Sequence, residues 1–247
     1  RRSAIEAPLR DFQPDALVTE TYPLGRRRLA DEFEAAIAAA GPRAVLFASV
    51  RDVPEPPSSP DRLAAAATRI EAGYAAVLVH GDAEFLQLRE SWPLPLPAAA
   101  RVRHTGYVGH AERVGSAKAQ FVLVSGGGGA LGEGLLRIAG QAGARTARAW
   151  HLMVGGPEPG ARAATFAAVA PEVEVHALRR DYRRLLAAAA CSVSHAGYNT
   201  VMDLAACTTP AVIVPFAERG EREQSIRAAR LAVVRGITVL EAEGLEP

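Results

Sequence analysis

Short runs dominated by valine, leucine and isoleucine alternate along this chain with longer stretches in which alanine, leucine and arginine recur at helical spacing. Runs too short for a helix and bounded by Gly, Pro or Asp read as strands. Strands alternating with helices predict a parallel sheet with helices on both faces. In the first half the expected strands are DALVTE (15–20), AVLFASV (44–50), AAVLVHG (75–81) and VRHTGYV (102–108), with helices over about 26–40 and 60–72. The second half restarts the alternation with AQFVLVSGGGGALGEGLLRIAGQAG (119–143), which reads as strand, glycine turn and helix. Strands follow near 148–154, 173–177, 190–194, 211–215 and 237–240, and helices near 160–169, 181–189, 198–206 and 221–234. The expected class is α/β, with two Rossmann-like doubly wound halves, the second nearly complete.

The polar segment GHAERVGSAKAQ has no apolar periodicity and carries the expected linker. This places a first domain over 1–110, the linker over 111–119 and a second domain over 120–247. VPEPPSSPDR (53–62) is a proline-rich loop whose length predicts exposure beside a cleft, or a lid. Charge acts by exclusion. With 28 basic and 27 acidic residues, a net of +1, there is no electrostatic footprint for nucleic acid and no strong pull toward an anionic membrane. Cys191 and Cys207 have neither metal-ligand spacing nor disulfide density, so both are expected as small buried apolar residues in a reducing cytoplasm. No apolar run reaches the ~20 residues that span a bilayer. The opening RRSAIEAPLRDF has no signal-peptide core and does not start with methionine, so further N-terminal sequence is expected to precede it.

In an open parallel sheet, ligands sit beyond the carboxyl ends of the strands, where glycine turns and helix N-termini present free N–H groups. Two turns of the second half have that character. Ser125-Gly126-Gly127-Gly128-Gly129 follows FVLV, and its glycines leave no side chain between backbone and a phosphate. It matches neither the dinucleotide fingerprint nor a Walker loop, and a plain tight turn is its alternative. The other turn lies in SVSHAGYNTVMDLAACTTPAVIVP (192–215), where His195, Asn199 and Thr200 surround the start of a helix. A phosphate there gains from the helix dipole and from charge-assisted hydrogen bonds, and His195 is expected to donate in either protonation state. Asp203, eight residues after His195, is placed to accept from the vicinal hydroxyls of a ribose. The plainer roles are an N-cap for Asn199 or Thr200, dipole compensation for Asp203 and a core histidine.

The segment HAGYNTVMDLAACTTPAVIVPFAERGEREQSIRAARL (195–231) resembles the donor-nucleotide motif of GT-B glycosyltransferases of family 28, the group that includes the peptidoglycan N-acetylglucosaminyltransferase. It shares the His-x-Gly-x-x-Thr/Ser turn, the acidic residue, the proline before the next strand and the acidic-Gln pair opening the following helix. TETYPLGRRRL and VRD are similar to elements of related bacterial predicted glycosyltransferases. The resemblance implies a GT-B fold whose N-terminal, acceptor-side domain is only partly present, and a nucleotide-sugar substrate with UDP-sugar favoured and no cofactor or metal. It further implies that His195, Ala196, Gly197, Asn199 and Thr200 bind the diphosphate and that Asp203 binds the ribose. Glu223 and Gln224 would contact the donor sugar, Gly126 to Gly129 would face the phosphates, and Leu178 would rest the base. Aspartate is one methylene shorter than the glutamate frequent at the ribose position, so contact there calls for a small helix shift or a bridging water.

The implied reaction moves a sugar to an acceptor hydroxyl with inversion, and it needs a base for the acceptor proton. Relatives draw that base from the early N-terminal domain. Within this sequence the expected acceptor-side carboxylates are Glu20 and Asp52, at the ends of two first-domain strands, and Arg26, Arg27 and Arg28 could attract an anionic acceptor. The acceptor and the oligomeric state stay open, as does contact with a membrane surface, which relatives with lipid-linked acceptors make. The competing readings are a GT-B-fold nucleotide-sugar hydrolase or epimerase and a non-catalytic nucleotide-sugar-binding subunit.

Overall fold

The structure, a computed structural model, describes residues 2–109, 119–127, 132–216, 221–243 and 245. Residues 111–118 of the expected linker, and Gly128 and Gly129, lie outside the described residues. The chain divides into two compact units, Arg1–Val108 and Gly109–Pro247.

In the first unit, β1 (Ala16–Glu20), β2 (Val45–Arg51), β3 (Tyr74–His80) and β4 (Val102–His104) form a parallel sheet in that spatial order. The helices are α1 (Arg2–Phe12), α2 (Ala30–Ala40), α3 (Pro60–Gly73) and the single turn α4 (Leu96–Ala99). Helix α3 starts where Ser59 is extended and Pro60 takes the first helical position, whose N–H needs no partner. Its Ala66, Ala67 and Ile70 bury against Ala48, Val50, Val77 and Val79 of the central strands.

Three features depart from the expected elements. Strand β4 is shorter than VRHTGYV, because Thr105 still donates to the Val79 carbonyl (2.9 Å) but Gly106, at φ +77°, turns the chain away. Helix α1 is additional: Pro8 interrupts its pattern, while an Arg10–Glu6 pair at 2.7 Å supports it one turn apart. The proline-rich loop is not free at its start. Asp52, Val53 and Pro54 are buried, and Trp92 Nε1–H donates to the Glu55 carbonyl at 2.8 Å.

The second unit contains β5 (Phe121–Ser125), β6 (Ala149–Val154), β7 (Glu174–Ala177), β8 (Cys191–Ser194), β9 (Ala211–Ile213) and β10 (Ile237–Val239). Between them lie α5 (Glu133–Ala144), α6 (Pro159–Val169), α7 (Tyr182–Ala188), α8 (Tyr198–Cys207) and α9 (Glu223–Leu231). All pairs are parallel, in the order β7-β6-β5-β8-β9-β10. Alternate residues Val122, Val124, Leu152, Val154 and Val173 pack with Leu135, Leu136, Ala139 and Ala163 into one core. The chain winds outward from β5 to β7, then returns beside β5 and winds the other way. The order therefore reverses between β5 and β8, and an open crevice forms beyond the carboxyl ends of such a pair. Among the described residues no helix is long and apolar enough to cross a membrane.

Candidate functional site: the turn after β8

Both turns singled out in the sequence lie at this reversal point. Ser125, the last residue of β5, pairs in register with Ser194, the last of β8. The chain then runs through His195 and Ala196 to Gly197, which is the N-cap of α8 with φ −66° and ψ 146°. Among the described residues no side chain caps the helix. Asn199 and Thr200 sit inside its first turn, so the plain N-cap role is not what they do. The helix N-terminus keeps its dipole, and its N-cap glycine has no side chain to offer as an acceptor. A Cβ on Gly197 would meet only the Thr200 hydroxyl, at 3.8 Å, so nothing within the fold demands a glycine there.

His195 Nδ1 lies 2.7 Å from the Val214 carbonyl, and its ring packs edge-on against Phe216 at 5.9 Å. A carbonyl only accepts, so Nδ1 carries the proton of the neutral ring. This corrects the expectation that His195 donates to phosphate in either state, because Nε2 gains an N–H only as imidazolium. Nε2 and the Ser194 hydroxyl are both buried with no hydrogen-bond partner among the described residues. Buried polar atoms left unpaired cost on the order of 1–3 kcal/mol each, and they concentrate where a ligand completes them.

The remaining donor-side residues are already engaged with the fold. On α8, Asp203 shares a face with Asn199 and Thr200 and pairs with Arg183 of α7 (Nε–Oδ1 3.1 Å), both side chains about one-fifth exposed. Tyr182 opens α7 nearby, and burial, more than the neighbouring Asp203 carboxylate, pushes its phenol up to about 12. At the end of β9 the Phe216 N–H donates to Gln224 Oε1 at 3.1 Å. Glu223 accepts from Arg227 at 2.8 Å, and Arg227, wholly buried, also donates to the Ala196 carbonyl. A charge-assisted clamp thus ties the turn after β8 to the first turn of α9. Leu178, just past β7, is 47% exposed although apolar.

The glycines after β5 have internal reasons for being glycine. Gly127 is left-handed at φ +77°, and a Cβ on Gly126 would stand 2.9 Å from Gly132 backbone. Backbone meets backbone at the base of that turn, so its tight-turn role is real for Gly126 and Gly127.

Residues 141–247 match the description "Glycosyltransferase family 28 C-terminal domain". Over those residues the second unit is similar to that family's C-terminal domain. The match begins within α5, so the glycine turn lies ahead of it and the turn after β8 inside it. A comparison with curated protein sequences found no match. Among solved structures the chain is similar to Acinetobacter baumannii MurG, with TM-score 0.60 and 14% identity, covering 100% of this chain and 66% of that one. It is also similar to Phytolacca americana UGT2 complexed with UDP-2-fluoroglucose and pterostilbene (TM-score 0.60, 12% identity, 98% of this chain and 66% of that one). A third is the spinosyn rhamnosyltransferase SpnG complexed with thymidine diphosphate (TM-score 0.56, 13% identity, 97% and 66%). These likenesses concern the fold, which is GT-B, and the chain spans just under two thirds of these three proteins.

In the first unit the two expected carboxylates have different surroundings. Glu20 ends β1 with its carboxylate held by Arg26 at 2.7 Å, both well exposed. Asp52 is wholly buried, accepts from the Val53 N–H at 2.8 Å, and sits where a Cβ on Gly81 would come within 2.8 Å of it. It braces the end of β3. Sequence reading passed over His80 at that end. Its Nε2 lies 2.7 Å from the Ser49 hydroxyl, its Nδ1 2.9 Å from that of Thr105, and burial holds it below its ordinary pKa. Arg183 and Arg227 were also missed. The i,i+4 spacing of Glu223 and Arg227 was visible, but its burial was not.

Proposed function

We propose that this chain transfers a sugar from a nucleoside diphosphate to an acceptor hydroxyl, with inversion at the anomeric carbon and without a metal. The acceptor oxygen forms its bond to that carbon as the bond to the diphosphate oxygen breaks; the acceptor proton passes to a base, and the nucleoside diphosphate leaves. One observation carries this reading. At the reversal point of a unit similar to the family 28 C-terminal domain, an uncapped helix N-terminus stands beside a histidine fixed through Nδ1 with Nε2 unpaired. Such a turn stabilises a departing diphosphate by preorganised N–H groups and an imidazolium.

In this reading Asn199 and Thr200 add donors to the phosphates and Asp203 reaches the ribose while keeping Arg183. Leu178 supports the base, and Glu223 and the Gln224 amide face the sugar. UDP is the favoured nucleotide, since two similar structures hold a pyrimidine nucleoside diphosphate or its sugar. Glu20 remains the acceptor-side carboxylate, and His80, kept neutral by burial, is the stronger candidate base than the buried Asp52.

A thermal-shift screen against UDP, dTDP, GDP and their sugars tests the donor site, since a ligand of the native state alone raises the melting temperature. UDP should give the largest rise, and Asp203→Asn should weaken its binding by roughly 1–3 kcal/mol. If no nucleotide shifts the melting point, the reading fails. Donor consumption that needs no acceptor would instead select a hydrolase or epimerase.

A further inference from the structure

A second constellation lies in the same unit, on strands the donor turn does not use. His151 of β6 pairs in register with Glu174 of β7, and His176 follows Glu174 by two positions, so period-two alternation puts all three on one face. That face is opposite the Val173–Val175 core face. The His151 Nδ1 to Glu174 Oε2 distance is 3.3 Å, and His176 Nε2 approaches the same oxygen at 3.4 Å. All three ligand atoms lie within 4.8 Å of one another. The imidazoles stack at 5.6 Å with 13° between planes, and Phe121 packs on His151 at 4.5 Å, which fixes the first ring in place. None of the three side chains makes a hydrogen bond to another described residue, although each approaches the others.

We propose that His151, Glu174 and His176 bind one Zn²⁺ ion. Ligand bonds of about 2.0–2.2 Å in a tetrahedron set neighbouring donor atoms roughly 3.3–3.6 Å apart. Two of the three separations fall within that spacing, and the third is no more than 4.8 Å. Two imidazoles and one carboxylate suit zinc, with a fourth position left to water. Arg179 is the cation whose charge reaches His151, and two 2.8 Å bonds to Asp181 offset it. The ion acts as a clip between β6 and the edge strand β7, which leads into Leu178. The site is independent of the donor-nucleotide reading.

The test uses the untagged protein after chelator stripping and dialysis. Zn²⁺ is titrated in competition with a chromophoric chelator, and Co²⁺ substitution is followed by visible absorption. The expected result is one Zn²⁺ per chain, an intense tetrahedral-type Co²⁺ spectrum and a raised melting temperature. His176→Ala and Glu174→Gln should each weaken binding by at least about tenfold, the lower end of what loss of a mere supporting contact costs. Glu174 is mostly exposed, so Glu174→Gln leaves folding intact, and far-ultraviolet dichroism checks the histidine variant. His195→Ala should leave zinc binding unchanged. Equal affinity in Glu174→Gln and the parent, or a Co²⁺ spectrum like that of the aqueous ion, overturns the proposal.

Discussion

At the scale of single residues, the chemistry of the turn after β8 follows from where one proton sits. With Nδ1–H given to the Val214 carbonyl, His195 meets a diphosphate as a donor only by taking up a proton at Nε2. His195→Gln, which keeps a polar side chain but loses the imidazole, should therefore weaken UDP binding, read as a smaller rise in melting temperature. Gly197 offers a second check. Serine there fits without a close contact and supplies the missing N-cap, so Gly197→Ser should leave the melting temperature unchanged or slightly higher. On the proposed reading the same hydroxyl would occupy N–H groups that hold phosphate, so UDP affinity should fall roughly tenfold or more, the scale of one charge-assisted hydrogen bond. A loss in both measurements, or in neither, would contradict the uncapped terminus as a binding element.

At the scale of elements, the clamp from α9 decides how firmly that turn is held. Arg227 is wholly buried and bridges Glu223 to the Ala196 carbonyl. Arg227→Met removes the charge but leaves that carbonyl without its donor, so stability should drop by about 1–3 kcal/mol, measured by denaturant unfolding. Arg227→Lys should not restore it, because an ammonium lacks the planar fork that serves two acceptors at once. The positions of most elements were legible beforehand: DALVTE, AVLFASV and FVLV form strands, and HAGYNT opens a helix, because short apolar runs and glycine turns are local signals. What stayed hidden depended on contacts between distant segments. The meeting of Arg227 with Ala196, of Arg183 with Asp203, and of His151 with two side chains of β7 arises from strand order and register, which no single window of sequence contains. Helix α1 was missed for a local reason, its internal Pro8.

At the scale of the whole molecule, the two units contribute different sensitivities. The second has its own core and a complete reversal point, so residues 109–247 produced alone should still bind UDP but transfer nothing. Loss of UDP binding in a folded fragment would show that the first unit supplies part of the nucleotide site. Each unit carries a histidine sensitive to acid, His80 in the first and His151 in the second. Burial holds His80 below its ordinary value of 6.5, so the unfolded chain takes up its proton before the folded one does. Its contribution is intact above about pH 6.5 and is lost as pH falls through that value toward the folded-state one. Melting temperature against pH should decline across that window, and His80→Gln should flatten the decline.

The Arg227 bridge also bears on how such an enzyme changes its preferences over generations. On the proposed reading, the side chain that steadies Glu223 beside the sugar also steadies the loop beside the phosphates, so an exchange at position 223 that admits a new hexose would disturb the grip on the leaving group as well. Selection for a different glycosyl unit would then have to proceed through paired substitutions on α9, and single-site swaps there should appear as catalytic defects before they appear as altered selectivity.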